Sequence, residues 1–180
     1  MKLARCVRNI RYMTKKRFSL VPAYTFREII DVTSDFLEQL GIKLLLLDLD
    51  NTLAAYDEHM LADGVSLWIT KVRSKGIEPY IISNSKRKKR VDSFSESIGV
   101  KYIKNAGKPS PKGLQNAMAM AGFGPCETAF AGDQIFTDTL AANRAGVVSI
   151  VVRPRRFTNP FLALRFYAEA PFRAMCRNKM

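Results

Sequence analysis

Residues 43–52 read KLLLLDLDNT, and the fold turns on this stretch. The apolar run Leu44-Leu45-Leu46-Leu47 is short and shows no polar alternation. Such a run marks a strand buried on both faces, as in a parallel sheet. Asp48 and Asp50 follow at once. Side chains alternate along a strand, so both acids leave the sheet on the same side. Two carboxylates that close repel each other, and burying them without a counter-charge raises at least one pKa sharply. A bound divalent cation resolves the conflict. The ordinary alternative is a polar loop that merely contains two acids.

Upstream, Phe26, Ile29, Ile30, Phe36, Leu37 and Leu40 share one helical face and predict a helix over 26–40, stopped by Gly41. Downstream, helical spacing over Leu61–Val72 ends at Gly76, and Ile77–Ile82 is a second strand. A polar helix over Lys86–Ser97, a strand at Val100–Ile103 and a helix from Pro111 to Ala121 come next. Thr128–Ala131 is a fourth strand, Thr137–Ala145 a helix, and Val147–Val152 a fifth strand. Alternating strands and helices imply right-handed crossovers and an α/β fold. The expectation is three layers, Rossmann-like, around a central parallel sheet of about five strands. Loops after the strand carboxyl ends should then form the site.

The chain has 180 residues, 47% of them hydrophobic, with 29 Lys and Arg against 16 Asp and Glu. That fits one globular domain with a core. It lacks an apolar run of about 18 residues, so a spanning helix is excluded. The net charge of +13 is uneven. Residues 1–27 carry +8, residues 86–90 carry +5 and residues 153–180 carry +6, which leaves the rest at −6. A mildly acidic body with three basic attachments implies an anionic partner. For Lys86–Arg90 alone, solvated surface charge is the plainer reading, with guidance of an anionic substrate as the alternative. The expected division is a basic N-terminal arm over 1–24, a core over 25–153, and a basic–aromatic segment over 154–180. That last segment packs on the core or on a membrane.

Cys6, Cys126 and Cys176 lie far apart, so neither a CxxC pair nor a disulfide framework is present, and a reducing compartment is expected. None has an Arg six positions later, which excludes the phosphate loop of cysteine phosphatases. His59 is the only histidine, so His/Cys zinc sites and any Ser-His-Asp triad without it are excluded. The basic first residues lack a continuous apolar core and an A-x-A site, and so read weakly as a secretory signal. Their acid-free, Arg-rich character suits a transit peptide better, but serines are few.

Four sets of chemically complementary residues follow the first four strands. Asp48-Leu49-Asp50-Asn51-Thr52 comes first. Ser83-Asn84-Ser85 offers a hydroxyl and backbone N–H groups at a helix start, a phosphate-binding arrangement that is also a common cap. Lys108-Pro109 presents an ammonium near the same sheet edge. Gly132-Asp133, with Asp138 five residues on, supplies further acids suited to a metal or to a helix N-terminus.

The set DLDNT, SNS, KP and GDQIFTD resembles the haloacid dehalogenase (HAD) superfamily of phosphatases. Within it, residues 20–170 most resemble the capless subfamily IIIA and its bacterial YqeG family. The resemblance implies that Asp48 is the nucleophile and forms an aspartyl-phosphate. Asp50 is then the general acid and base. Mg²⁺ would be held by Asp48, the Asp50 carbonyl and Asp133, with Asp138 supporting it. Ser83 and the Asn84 N–H would hold the phosphoryl group, and Lys108 would stabilise its charge. A carboxylate nucleophile beside a cation and a lysine suits phosphoryl transfer. The second acid at Asp50 is the mark of this superfamily's phosphatases.

The spacings from Asp50 to Ser83 and from Ser83 to Lys108 leave no room for a cap domain, so the site is expected to be open to a bulky substrate. Relatives in this subfamily include phosphatidylglycerophosphate phosphatases. The aromatic and basic residues from Arg153 to Arg173 suit an interfacial helix on anionic lipid, or a packing helix bracketed by Pro160 and Pro171, with core packing the plainer reading for the aromatics. Three functions stand open. One is a phosphatase for phosphatidylglycerophosphate or another large phosphorylated substrate. The second is a nucleotide or nucleic-acid-end phosphatase. The third is a non-enzymatic RNA- or ribosome-binding module. The expected location is cytoplasmic, with peripheral contact at the inner face of the membrane left open.

Overall fold

The structure is a computed structural model that describes residues 18–58, 60–85, 88–158, 160–176 and 178. Most of the basic arm, His59, Lys86 and Arg87 lie outside the described residues. Six strands form one parallel sheet: β1 (Tyr24–Thr25), β2 (Leu44–Leu47), β3 (Glu78–Ile82), β4 (Lys101–Ile103), β5 (Thr128–Gly132) and β6 (Val148–Val151). Their order is β1-β6-β5-β2-β3-β4. The chain builds outward from β2 on one side and returns on the other through β5. The β2–β5 junction is therefore the topological switch point, where crevices open in such sheets.

The four leucines of β2 are fully buried, as the run predicts. Leu45 and Leu47 point into one core with Val65, Trp68, Ile69 and Val72 of the helix α2 (Val65–Ser74). Leu44 and Leu46 point into the other, with Leu114 and Ala117 of α4 (Lys112–Ala121) and Ala141 and Ala142 of α5 (Leu140–Ala145). The period-two alternation of a strand thus serves two helical layers at once.

Four expectations need correction. The sheet has six strands, because Tyr24 and Thr25 pair with Ile150 and Val151. Two residues carry no periodicity, so sequence could not show them; this places Tyr24 in the sheet, not in an arm. The helix expected over 26–40 is broken. A short 3-10 turn at Ile29–Asp31 closes, and α1 (Ser34–Gln39) starts afresh because Thr33 Oγ1 accepts the Phe36 N–H at 3.2 Å. After β5 the chain makes a π-helical turn at Ile135–Thr139 before α5, two residues earlier than expected. Finally, Pro171 lies inside the last helix, α6 (Pro160–Ala174), rather than bounding it.

Among the described residues there is one helix, α2, between β2 and β3 and one helix, α3 (Lys88–Ile98), between β3 and β4, so no cap domain stands over the sheet edge there. Helix α6 packs one face on the core: Glu169 is buried, and the Phe172 ring meets Phe136 edge-on at 6.0 Å. No helix of the described residues is long and apolar enough to cross a membrane.

Candidate active site

Asp48 sits where β2 ends, its N–H donating to Ala131 O of β5 at 2.9 Å. Lys108 reaches in from the loop after β4. Its ammonium bonds to Asp48 Oδ1, and lies 2.8 Å from Asp138 Oδ1 and 3.1 Å from Ile82 O. Asn84 fixes the backbone of that loop. Its amide donates to Lys108 O and accepts from Lys108 N, both at 2.9 Å. Asp138 Oδ2 accepts the Gln134 N–H at 3.0 Å. Gly132 leaves room for that carboxylate, since a Cβ there would collide with it.

Carboxylate oxygens of Asp48, Asp133 and Asp138 all lie within 4.8 Å of one another, and all three residues are buried. With all three carboxylates ionised, one ammonium would leave two negative charges, which one divalent cation balances. Burial, more than the neighbouring acids, pushes Asp48 up to about 7 even with Lys108 beside it. Burial, together with Asp138 and Asp48, also holds Asp133 well above the usual carboxylate range. For Lys108, burial pulls the other way, but Asp138 and Asp48 outweigh it and keep the ammonium charged. Asp133 Oδ1 is buried with no hydrogen-bond partner. An orphaned buried carboxylate oxygen is costly, and a hard cation satisfies it. The residues present therefore fit a divalent metal.

Asp50 lines the same cavity of about 490 Å³ as Asp48, Asn84 and Lys108. Ser83 is not at its surface: the residue is fully buried and its Oγ accepts the Ser85 N–H at 3.0 Å. Asn84 and Ser85 are the members of that loop that face the cavity.

Arg90, read from sequence as part of the solvated Lys86–Arg90 run, is instead turned inward. Its guanidinium Nε is 3.0 Å from Asp50 Oδ1, and its other nitrogens donate to Ala55 O at 2.6 Å and to Glu58 O. Only 7% of its side chain is exposed. It anchors both the second acid and the loop after it. The signal available was helical spacing, since Arg90 lies one turn before buried Phe94, and the Arg90 guanidinium sits 4.8 Å from that ring. Helix α6 was also undervalued. Leu162 and Arg165 wall the cavity, and Arg165 donates to Gln134 Oε1.

Residues 5–146 match the model of a family described as haloacid dehalogenase-like hydrolase. The chain belongs to that family. Over 150 residues it is 31% identical to "Probable phosphatase YqeG" of Bacillus subtilis (strain 168), covering 83% of this chain and 86% of that protein. Among solved structures, the cobalt-bound deoxy-D-mannose-octulosonate 8-phosphate phosphatase of Haemophilus influenzae aligns with TM-score 0.50 at 16% identity, over 63% of this chain and 69% of that one. An uncharacterized protein of Listeria monocytogenes serotype 4b aligns with TM-score 0.52 at 19% identity, over 67% and 80%. At these identities the two structures show a shared fold.

Proposed function

We propose that the protein is a Mg²⁺-dependent phosphomonoester hydrolase that acts through an aspartyl-phosphate on a large phosphorylated substrate. The observation that carries this is the buried Asp48–Lys108–Asp133–Asp138 cluster opening on a cavity that Asp50 also lines. Asp48, Asp133 and Asp138 would hold the cation, which when bound screens the negative charge of the phosphoryl group. The Asp48 carboxylate attacks phosphorus while Asp50 donates a proton to the leaving oxygen. Asp50 then takes a proton from the water that cleaves the aspartyl-phosphate. Lys108 offsets charge on the transferring oxygens, and the Ser83–Ser85 loop borders them. Arg90 holds Asp50 in place throughout.

The uncapped cavity supports a bulky substrate, with phosphatidylglycerophosphate the leading candidate. The outer face of α6 supports an anionic lipid surface as the place of action. Phe161, Leu164 and Tyr167 are between 66% and 71% exposed, and Arg153, Arg155 and Arg156, a few residues before the helix in sequence, are exposed too. Apolar side chains flanked by cations suit such an interface.

The test is phosphate release from vesicles carrying phosphatidylglycerophosphate, beside an aryl phosphate and a 3′-phosphorylated oligonucleotide. Vesicle substrate should be turned over best, and Asp48→Asn should cut release on the order of a thousandfold or more. Turnover of the aryl phosphate equal to that of the lipid would remove the lipid reading. Preference for the oligonucleotide would replace it with a nucleic-acid end.

A further inference from the structure

We infer that Glu169 and Arg173, on the last helix, are positioning residues that hold the loop carrying Asp133 and Asp138 in its metal-binding shape. The inference rests on the metal reading above. Helix α6 lies beyond residues 5–146, the segment that matches the family model. It nonetheless supplies a buried charge to the centre of the site.

The loop after β5 begins a helical run at Ile135 whose preceding residue, Gln134, makes no side-chain cap. A helix start leaves backbone N–H groups without partners and carries partial positive charge. Glu169 fills that role from a distant element. Its Oε1 accepts the Ile135 N–H at 2.8 Å and the Phe136 N–H at 3.0 Å. Glu169 is 1% exposed, so bulk solvent does not compete for these bonds. Its other oxygen pairs with Arg173 at 3.1 Å. Arg173 in turn donates to Asp133 O and, at 3.1 Å, to Val152 O at the end of β6. The two side chains therefore clamp the loop on both sides of Gln134, at the Asp133 carbonyl and at the next two amides. Asp133, whose Oδ1 is the orphaned oxygen, thus has its backbone carbonyl held by Arg173 while its carboxylate belongs to the cluster with Asp48 and Asp138.

The Glu169 carboxylate is met by one cation and two amide donors, while Arg173 Nε is buried without a partner; either side chain alone would be an uncompensated buried charge. Residues that orient metal ligands characteristically change metal affinity by about 10- to 100-fold when removed. A merely structural pair would change stability and leave the affinity of the folded protein alone.

Mn²⁺ binding to the full chain, measured by calorimetry, separates the two. Wild type should bind one Mn²⁺ and Asp133→Asn should not. Absence of binding by wild type would refute the metal reading itself. Glu169→Ala should bind Mn²⁺ about tenfold or more weakly, with kcat lowered more than KM. Glu169→Gln, which keeps an oxygen acceptor, should recover part of the affinity. Leu67→Ser on the exposed face of α2 and Val72→Ala in its core serve as controls, and both should bind as wild type does. A folded Glu169→Ala protein with unchanged Mn²⁺ affinity overturns the inference. If that variant does not fold, Arg173→Lys decides, since a lysine keeps the charge but cannot span Glu169, Asp133 and Val152. Wild-type Mn²⁺ affinity in Arg173→Lys overturns the inference equally.

Discussion

Asp48 shows how a buried site trades stability for reactivity. Its carboxyl is raised from 3.8 to about 7, chiefly by burial. Between those values the native protein keeps a proton that the unfolded chain has lost. Its contribution to stability is therefore complete below the lower value and is lost as pH rises through the upper one. In chelator, the thermal midpoint of wild type should fall relative to Asp48→Asn as pH goes from about 5 to about 8, by a few degrees. Added Mg²⁺ should restore it, because a cation favours the ionised carboxylate. Parallel midpoints for the two proteins across that range would show that Asp48 is not proton-loaded in the native state. Arg90 is the second residue with a clear consequence. Arg90→Met leaves Asp50 and two carbonyls without their donor, and breaking a largely buried pair costs about 3 kcal/mol. Urea denaturation should show that loss, and kcat should fall with KM little changed, since the substrate's phosphate is held elsewhere.

At the scale of elements, the loop after β5 concentrates the chemistry. Gly132 ends the strand, and a Cβ there would press into the Asp138 carboxylate. Gly132→Ala should therefore displace Asp138 and weaken Mn²⁺ binding about tenfold or more, in the range seen when ligand-orienting contacts are lost. Calorimetry on the folded variant checks it, and unchanged affinity would show that the loop can relax around a methyl group. The acids here were legible in sequence as strand-ending residues, since their order along the chain matches the order of the strands. The π-helical turn at Ile135–Thr139 was not legible, because it depends on Asp138 turning back to the Gln134 N–H and on Glu169 arriving from α6. Neither contact has a periodicity to read. Glu169 did leave a faint trace: it is the one acid in residues 153–180, amid seven basic residues.

For the whole molecule, charge and exposure separate into two regions. The site is a buried acid cluster, while α6 carries an exposed apolar side with Phe161, Leu164 and Tyr167. If that side meets anionic lipid, the protein should co-float with vesicles rich in phosphatidylglycerol and not with neutral ones, and salt should weaken the association. The double change Phe161→Ser and Tyr167→Ser should abolish flotation while turnover of a small aryl phosphate stays at the wild-type level. Loss of both together would tie the aromatics to folding instead.

The sequence by itself determined the sheet, its central buried strand and the convergence of Asp48, Asp50, Lys108, Asp133 and Asp138 on one edge. These follow from alternation and chain order, which are local properties. The tertiary structure decided the two-residue β1, the withdrawal of Ser83 beneath the cavity surface, the burial of Arg90 beside Asp50 and the clamp from Glu169 and Arg173. Each of these joins residues about thirty or more apart in the chain, or depends on which face of an element the packing covers. Linear patterns carry no record of either, so only the folded chain discloses them.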